Sequence, residues 1–285
     1  MRANIRDTEI YFDIEGAALV PDGDRMRERP VALVLHGGPG GDHTGFKPSF
    51  SPLAAHMQLV YVDHRGQGRS ARGDVARYTL DENVEDMEAL RQYLGLGPVV
   101  SIGTSYGGMV AMAHAARYPH SVSHLVLIVT AAHAGFNARA RQIVAERGTA
   151  EQQQVCAQLW AGELRTQAAL AHYYEVMGPM YARNYDQAAA RAGRQRGILE
   201  PDALNMAFAP DGFLQTFDLR PELPQITAQT LILAGRHDWI CPVEFSEEIQ
   251  RLIPGSALQI LEHSSHSVRS DEPLAMREAI AAHIV

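Results

Sequence analysis

The chain has 285 residues, of which 46% are hydrophobic and 20% charged, and its formal net charge is −8. This length accommodates one full domain with a sizeable core and one modest insertion. The acidic balance argues against nucleic acid as a partner, because binding to a phosphate backbone depends on cationic side chains that release counterions.

Three features predict a cytoplasmic protein. The N-terminal sequence MRANIRDTEIYFDIEG lacks the apolar stretch of a secretory signal. No segment approaches the roughly 18 consecutive apolar residues that cross a membrane, so we expect no membrane contact. Cys156 and Cys241 lie far apart and match no metal-ligand spacing, which favours two reduced thiols and no metal site.

Short apolar runs alternate with helical patterns along most of the chain. The first thirty residues are typical of a β-hairpin region, closed by a polar loop from Pro21 to Pro30. Runs rich in Val, Ile and Leu then predict strands buried on both faces at Val31–Leu35, Gln58–Asp63, Pro98–Gly103, His124–Val129, Thr230–Ala234 and Ala257–Leu261. Helical patterns occupy Asp81–Leu94, Tyr106–Tyr118, Val243–Leu252 and Pro273–Ile284. The alternation predicts βαβ units and an α/β fold with a mostly parallel sheet.

Residues 131–219 interrupt this alternation, since they contain no convincing strand. Their pattern predicts helices over Asn137–Glu146, Glu151–Trp160 and Leu164–Met177, with weaker helical patterns after Tyr185. An insertion after the fourth strand would stand over the carboxyl ends of the strands, where ligands bind in open α/β sheets. We therefore predict a main domain from residues 1–130 and 220–285, covered by a helical cap at 131–219.

The strongest local signal is GTSYGG at residues 103–108, a G-x-S-x-G motif centred on Ser105. A buried apolar run precedes it and a helix rich in small residues follows, which is the strand–turn–helix setting of a nucleophile elbow. Glycines beside the serine leave room for a strained turn, and the amides that open the helix favour negative charge. The alternative is a glycine-rich turn with an idle serine. The context favours Ser105 as a nucleophile.

A serine hydroxyl needs a base to take its proton, and the chain order expected after such an elbow is acid, then histidine. Asp238 follows a buried strand and is placed to accept from an imidazole Nδ1–H, although it could instead cap the helix after Pro242. Two histidines compete for the base in the next loop. We favour His266, at the far end of that loop, over His263, which follows the strand directly and is expected to cap it.

The loop HGGPGG at residues 36–41 supplies the second half of a predicted oxyanion hole. One donor is expected to be the backbone N–H of Tyr106, and the other the N–H of Gly38, with Gly37 in reserve. His36 is expected to pack beneath the loop. A phosphate-cradling glycine loop is the rival interpretation, but no Lys-Ser/Thr pair and no helix start follow the glycines.

Together these motifs resemble the proline iminopeptidase branch of the α/β-hydrolases. The resemblance covers the main domain and is carried by HGGPG at 36–40, DHRGQGRS at 63–70, GTSYGG at 103–108, DLRPELPQI at 218–226 and the loops of Asp238 and His266. It implies the α/β-hydrolase fold, with serine peptidase or esterase chemistry that uses no cofactor. The 63–70 stretch is a polar turn, predicted to hold the neighbouring loops without taking part in the chemistry.

The substrate is less well defined by the resemblance. An aminopeptidase of this branch holds a free ammonium with acidic cap residues and, in some members, with an acid directly after the catalytic aspartate, where this chain has Trp239. The cap offers Glu163, Glu175 and Glu200, each of which could equally belong to a solvated helix face. The specific motifs favour a peptidase or amidase acting on a short peptide. An esterase or lactonase acting on a small uncharged substrate is the alternative, and a non-hydrolytic ligand-binding protein or lyase is a remote one.

Overall fold

The structure is a computed structural model that describes residues 1–284. Its strands, in chain order, are β1 (Arg2–Ile5), β2 (Thr8–Glu15), β3 (Leu19–Asp22), β4 (Arg25–Glu28), β5 (Val31–Leu35), β6 (Gln58–Val62), β7 (Val99–Thr104), β8 (Val122–Ile128), β9 (Gln229–Gly235) and β10 (Ala257–Leu261). Eight of them form one sheet in the order β1-β2-β6-β5-β7-β8-β9-β10, while β3 and β4 form a separate hairpin. All pairs from β6 to β10 are parallel, and β1 and β2 are antiparallel additions. The predicted α/β fold with a mostly parallel sheet is confirmed.

Helices cover both faces of this sheet. They are α1 (Lys47–Phe50), α2 (Leu80–Tyr93), α3 (Tyr106–Arg117), α4 (Gly135–Arg147), α5 (Ala150–Trp160), α6 (Gln167–Tyr181), α7 (Gln187–Arg196), α8 (Pro201–Phe208), α9 (Val243–Leu252), α10 (Val268–Asp271) and α11 (Pro273–Ile284). Alternate residues of each strand point to opposite faces. Leu33 and Leu35 of β5 therefore join the apolar cluster under α2, α3 and α9, while Ala32 and Val34 join the one under α11.

The order of the strands determines where a ligand can bind. Strand β5 pairs with β6 on one side and with β7 on the other, so the connections that leave β5 and β7 diverge at this point. Such a topological switch opens a crevice at the carboxyl ends of the two strands. The loop at residues 36–41 and Ser105 follow these two strand ends directly.

Helices α4–α8 form the insertion between β8 and β9 and contain an apolar cluster of their own. The two ends of the insertion meet at a neck, where Leu219 N–H donates to Ala132 O at 2.8 Å and Ala134 N–H donates to Phe217 O at 2.9 Å. A helical cap after the fourth central strand is therefore present. The predicted bounds of 131 and 219 fall at this neck, and the division into two domains stays a prediction.

Two local predictions are wrong. The segment from Pro21 to Pro30 is not a loop, because residues 19–22 and 25–28 pair as the antiparallel hairpin of β3 and β4. The helix expected over Leu164–Met177 begins only at Gln167, since the Thr166 side chain accepts the N–H of Ala169 and so caps the helix there. The same helix continues to Tyr181.

Candidate active site

Ser105 occupies the sharp turn between β7 and α3. Its φ is +55°, a left-handed conformation that a residue with a side chain adopts only under strain. The turn is held by its backbone, because Ser105 N–H donates to Ile128 O at 2.9 Å and Ser105 O accepts from Thr130 Oγ1 at 2.8 Å. The hydroxyl of this partly buried serine is thereby presented at the carboxyl end of β7.

Two glycines make this turn possible. A Cβ on Gly103 would lie 2.2 Å from Gly107 O, and one on Gly107 would lie 2.1 Å from Leu35 O. Both distances are far shorter than a non-bonded contact allows, so any other residue would push the strand and the helix apart. The spacing of the G-x-S-x-G motif is thus explained by the close approach of β5, β7 and α3.

The structure brings together the predicted nucleophile, base and acid. His266 Nε2 lies 3.0 Å from Ser105 Oγ, and His266 Nδ1 lies 2.8 Å from Asp238 Oδ2. A neutral imidazole with its proton on Nδ1 donates to the carboxylate and leaves Nε2 free to accept the serine hydroxyl. His263, the competing histidine, is exposed, and its backbone N–H donates to Glu272 at 2.9 Å.

Asp238 is held in place through its second oxygen. Oδ1 accepts the backbone N–H groups of Ile240 at 2.8 Å and Cys241 at 3.1 Å. The side chain is fully enclosed, and Pro242, not Asp238, stands at the N-cap position of α9. Asp238 therefore uses one oxygen to close the turn after β9 and the other to orient His266.

Free backbone donors lie beside the serine. A Cβ on Gly37 would lie 3.1 Å from Ser105 Cβ, so the loop at 36–41 contacts the nucleophile turn directly. Gly38 has φ +118°, and within residues 1–284 its N–H donates to no protein acceptor. The N–H of Tyr106 opens α3 and has no partner within that helix. These two N–H groups are the predicted oxyanion donors.

A buried polar network supports this loop from below. His64 N–H donates to His36 Nε2 at 3.2 Å, and Gly40 N–H donates to Gln67 Oε1 at 2.6 Å. Asp63 accepts from His43 through both its backbone N–H at 2.8 Å and its ring at 2.7 Å. Burial alone would raise the pKa of Asp63, but the hydrogen bond from His43 and the neighbouring imidazoles outweigh it and lower that pKa. The 63–70 stretch thus carries the glycine loop, in agreement with its predicted role.

The carboxylates of the cap glutamates Glu175 and Glu200 have partners other than the serine and the histidine, although the backbone N–H of Glu200 donates to Gly40 O of the 36–41 loop at 2.9 Å. Glu175 pairs with Arg191 at 2.5 Å on the surface, where its side chain is 35% exposed. Glu200 pairs with Arg72 at 2.6 Å. Glu163 is exposed. Within residues 1–284, no hydrogen bond or ion pair connects any of these carboxylates to Ser105 or His266.

Trp239, in contrast, lies one aromatic ring away from the histidine. It is 2% exposed and packs in the apolar cluster of the cap. Its ring lies edge-on to Tyr181 with centroids 5.6 Å apart, and the ring of Tyr181 is 5.7 Å from that of His266. The position after the acid is therefore occupied by a buried aromatic side chain.

Other potential sites of chemistry are few. Cys156 and Cys241 are free and buried, and burial raises the pKa of the Cys156 thiol to about 12, which makes it unreactive. In the part of the chain that the structure describes, no group of three or more His, Cys, Asp or Glu side chains is arranged to hold a metal ion. No helix among residues 1–284 is both long and apolar enough to span a membrane.

The sheet, the serine elbow after β7 and the cap after β8 together define an α/β-hydrolase. The sequence model of the family described as alpha/beta hydrolase fold matches residues 30–273. The chain therefore belongs to the α/β-hydrolase family.

Comparison with known proteins confirms the resemblance to proline iminopeptidases. The chain is 28% identical over 281 residues to the proline iminopeptidase PfmaB of Pestalotiopsis fici, covering 96% of this chain and 98% of that protein. Its structure is similar to that of the proline iminopeptidase of Mycobacterium smegmatis, with a TM-score of 0.77 at 21% identity over 100% of this chain and 97% of the other. An esterase of Exiguobacterium antarcticum is similar to almost the same degree, with a TM-score of 0.76 at 22% identity over 99% and 98% of the two chains. The latter two likenesses concern the fold alone.

Proposed function

We propose that this protein is a serine hydrolase that works through a covalent acyl-enzyme on Ser105. The proposal is carried by the chain of hydrogen bonds from Ser105 Oγ to His266 Nε2, at 3.0 Å, and from His266 Nδ1 to Asp238 Oδ2, at 2.8 Å. Such a chain lets the imidazole take the serine proton as the hydroxyl attacks a carbonyl carbon.

The remaining steps follow from the same geometry. His266 accepts the proton of Ser105 and becomes an imidazolium that the Asp238 carboxylate stabilises. The oxyanion of the tetrahedral intermediate is bound by the N–H groups of Gly38 and Tyr106. Collapse of the intermediate expels the leaving group, which takes the proton from His266. A water molecule, deprotonated by the same imidazole, then hydrolyses the acyl-enzyme and restores Ser105.

The substrate class that agrees best with the geometry is an ester, lactone or amide without a free amine. An ammonium held in a partly dry site needs an opposing carboxylate. Glu175 and Glu200 are paired with arginines, Glu163 is exposed, and Trp239 stands where some relatives have an acid. The second candidate is an iminopeptidase that removes an N-terminal proline, supported by the names of curated relatives that are 25–28% identical.

A labelling experiment tests the proposed chemistry. A serine-directed phosphonate should modify Ser105 alone, and the Ser105→Ala variant should be neither labelled nor active. Absence of labelling in the folded wild-type protein would favour the remote alternative, a ligand-binding or lyase member of the family.

A substrate panel distinguishes the two candidates. We expect p-nitrophenyl acetate and butyrate to be hydrolysed with a higher kcat/KM than proline p-nitroanilide. Proline p-nitroanilide as the better substrate would establish the iminopeptidase instead. The Ser105→Ala variant is the control for non-enzymatic ester hydrolysis.

A further inference from the structure

Arg269 carries a positive charge that no carboxylate among residues 1–284 pairs with. Within residues 1–284, no carboxylate lies within 4.0 Å of its guanidinium, and no protein acceptor takes a hydrogen bond from it. The guanidinium stacks on an aromatic ring, since its carbon lies 5.1 Å from the centroid of Phe46. The residue is only partly exposed, and burial lowers the pKa of its guanidinium.

Arg269 lies close to His266 along the chain and beside the segment that follows the oxyanion loop. It lies on α10, three residues after His266, so the two Cα atoms are separated by about 11 Å at most. Phe46 belongs to the segment that follows the oxyanion loop, and a Cβ on Gly45 would lie 3.8 Å from Arg269 Nη2. The guanidinium is thus bounded by the histidine loop and by the segment leading from the oxyanion loop.

The cap closes the third side. The phenol of Tyr174 on α6 is near enough to Arg269 for each group to affect the pKa of the other. The ring of Tyr174 is 6.0 Å from that of Tyr181, which in turn packs against His266. Arg269 and His266 are therefore linked through the aromatic side chains of helix α6 as well as through their shared loop.

A partly buried arginine beside aromatic rings is stabilised when it binds an anion. Removing a guanidinium from water costs free energy unless an anion and its hydrogen bonds compensate for it. The planar group offers two parallel N–H donors that match the two oxygens of a carboxylate. The aromatic ring of Phe46 fixes the plane of the guanidinium without using those donors.

We infer that Arg269 binds a carboxylate group carried by the substrate, close to the bond that Ser105 cleaves. This inference rests on the proposed serine hydrolase function and narrows its substrate class to esters, lactones or amides of carboxylate-bearing molecules. The carboxylate belongs either to the acyl part of the substrate or to its leaving group, and matched substrates distinguish the two.

Arg141 provides a matched control for Arg269. Its guanidinium also stacks on an aromatic ring, 4.5 Å from the centroid of Trp160, and has no ion pair among the described residues. Arg141, however, is exposed on helix α4 of the cap. The two variants Arg269→Gln and Arg141→Gln thus remove the same type of stacked guanidinium at two different places.

Two pairs of esters test the inference, with the released acid measured by titration at constant pH. Monoethyl succinate against ethyl valerate tests a carboxylate on the acyl side. Carboxymethyl butyrate against ethyl butyrate tests one on the leaving group. We expect the wild-type protein to prefer the charged member of one pair by roughly tenfold or more in kcat/KM, through a lower KM.

Variants of Arg269 and Arg141 show which residue causes the preference for the charged ester. Arg269→Gln should remove it, so that each charged ester is hydrolysed no better than its neutral partner; Arg269→Lys should keep part of it, and Arg141→Gln should keep all of it. The inference would be overturned if the wild-type protein preferred neither charged ester, or if Arg269→Gln kept the same preference as the wild-type protein. Activity on the neutral esters would in either case still support the serine hydrolase.

A binding measurement separates recognition from catalysis. The Ser105→Ala variant should bind monoethyl succinate or carboxymethyl butyrate in a calorimeter, and the added Arg269→Gln change should raise the Kd of the ester that binds by roughly tenfold or more. If the wild-type protein hydrolyses no ester and the phosphonate does not label Ser105, the proposed function fails. The effect of Arg269→Gln on the Kd then still decides whether Arg269 binds a carboxylate.

Discussion

The carboxylate of Asp271 accepts a hydrogen bond of 2.9 Å from the backbone N–H of Ser265, the residue before His266. The same carboxylate accepts the N–H groups of Arg183 at 3.0 Å and Asn184 at 2.9 Å, in the segment that follows α6 of the cap. The buried side chain of Asp271 therefore connects the histidine loop to the cap by hydrogen bonds. The position of His266 over the serine and the seating of the cap depend on each other.

Replacing Asp271 with alanine should lower both stability and turnover. The change leaves three backbone donors without their acceptor, and each unsatisfied donor costs about 1–3 kcal/mol when buried. We expect a lower free energy of unfolding in urea and a lower kcat, because His266 would no longer be held in place. Asp218→Ala is the control, since Asp218 pairs with Arg220 at the surface, where such pairs contribute about 1 kcal/mol or less. Equal effects of the two changes would contradict the role assigned to Asp271.

Alanine at His266 should reduce kcat by about 10⁴-fold or more on the best ester substrate, because Ser105 would lose its proton acceptor. His263→Ala is the matched control from the same loop, and its exposed ring should make the effect small. Both variants should keep the wild-type Tm to within a few degrees in a thermal melt. A larger loss of activity in the His263 variant would show that His263, and not His266, is the base.

The strands and the serine elbow could be predicted from sequence because their signals are local. Short apolar runs gave β5–β10 to within a few residues, and the G-x-S-x-G motif follows from contacts between neighbouring turns. The hairpin of β3 and β4 also had a local signal, the Gly23-Asp24 loop, in which Gly23 has φ +66°. Its strands, LVPD and RMRE, are short and largely exposed, and they lack the apolar alternation that would have identified them.

The sequence alone does not predict the roles of Asp271 and Arg269, and the reason is different. Their roles depend on partners brought close only by the tertiary fold, such as Arg183 for the first and Phe46 for the second. A carboxylate or a guanidinium near a chain terminus carries no pattern that separates it from a solvated surface residue. The cap glutamates have the opposite outcome, because the sequence suggested a role for them that the tertiary contacts do not support. Their charge suggested an ammonium site, but Glu175 pairs with Arg191.

The histidines beneath the oxyanion loop should make the protein less stable as the pH falls below about 6.5. Burial lowers the pKa of His36 and of His64 below the ordinary value of 6.5. The unfolded chain therefore takes up protons in this range that the folded chain does not, so the stabilisation is complete above pH 6.5 and declines below it. Each such proton contributes up to about 1.4 kcal/mol per pH unit to the slope.

Urea unfolding between pH 5.5 and 7 measures this slope. His64→Asn should reduce it by one proton, whatever its effect on the absolute stability, because the amide does not titrate. The exposed His56, which lies outside the network beneath the oxyanion loop, supplies a histidine replacement for comparison in His56→Gln. The same slope in the His64 variant and the wild-type protein would show that this buried imidazole does not cause the pH dependence.

A free amine on the substrate distinguishes an iminopeptidase from a hydrolase of uncharged esters and amides. If a cap carboxylate bound a free amine in a partly dry site, losing one partner of that pair would cost about 3–5 kcal/mol, more than a hundredfold in kcat/KM. Because Glu175 and Glu200 pair with arginines and Glu163 is exposed, we expect each Glu→Gln variant to hydrolyse its substrates at the wild-type rate. N-acetyl-proline and proline p-nitroanilides should likewise be cleaved at similar rates. A more than hundredfold loss on acetylation, matched by the loss in one of the three variants, would identify that glutamate as the ammonium site and establish an iminopeptidase.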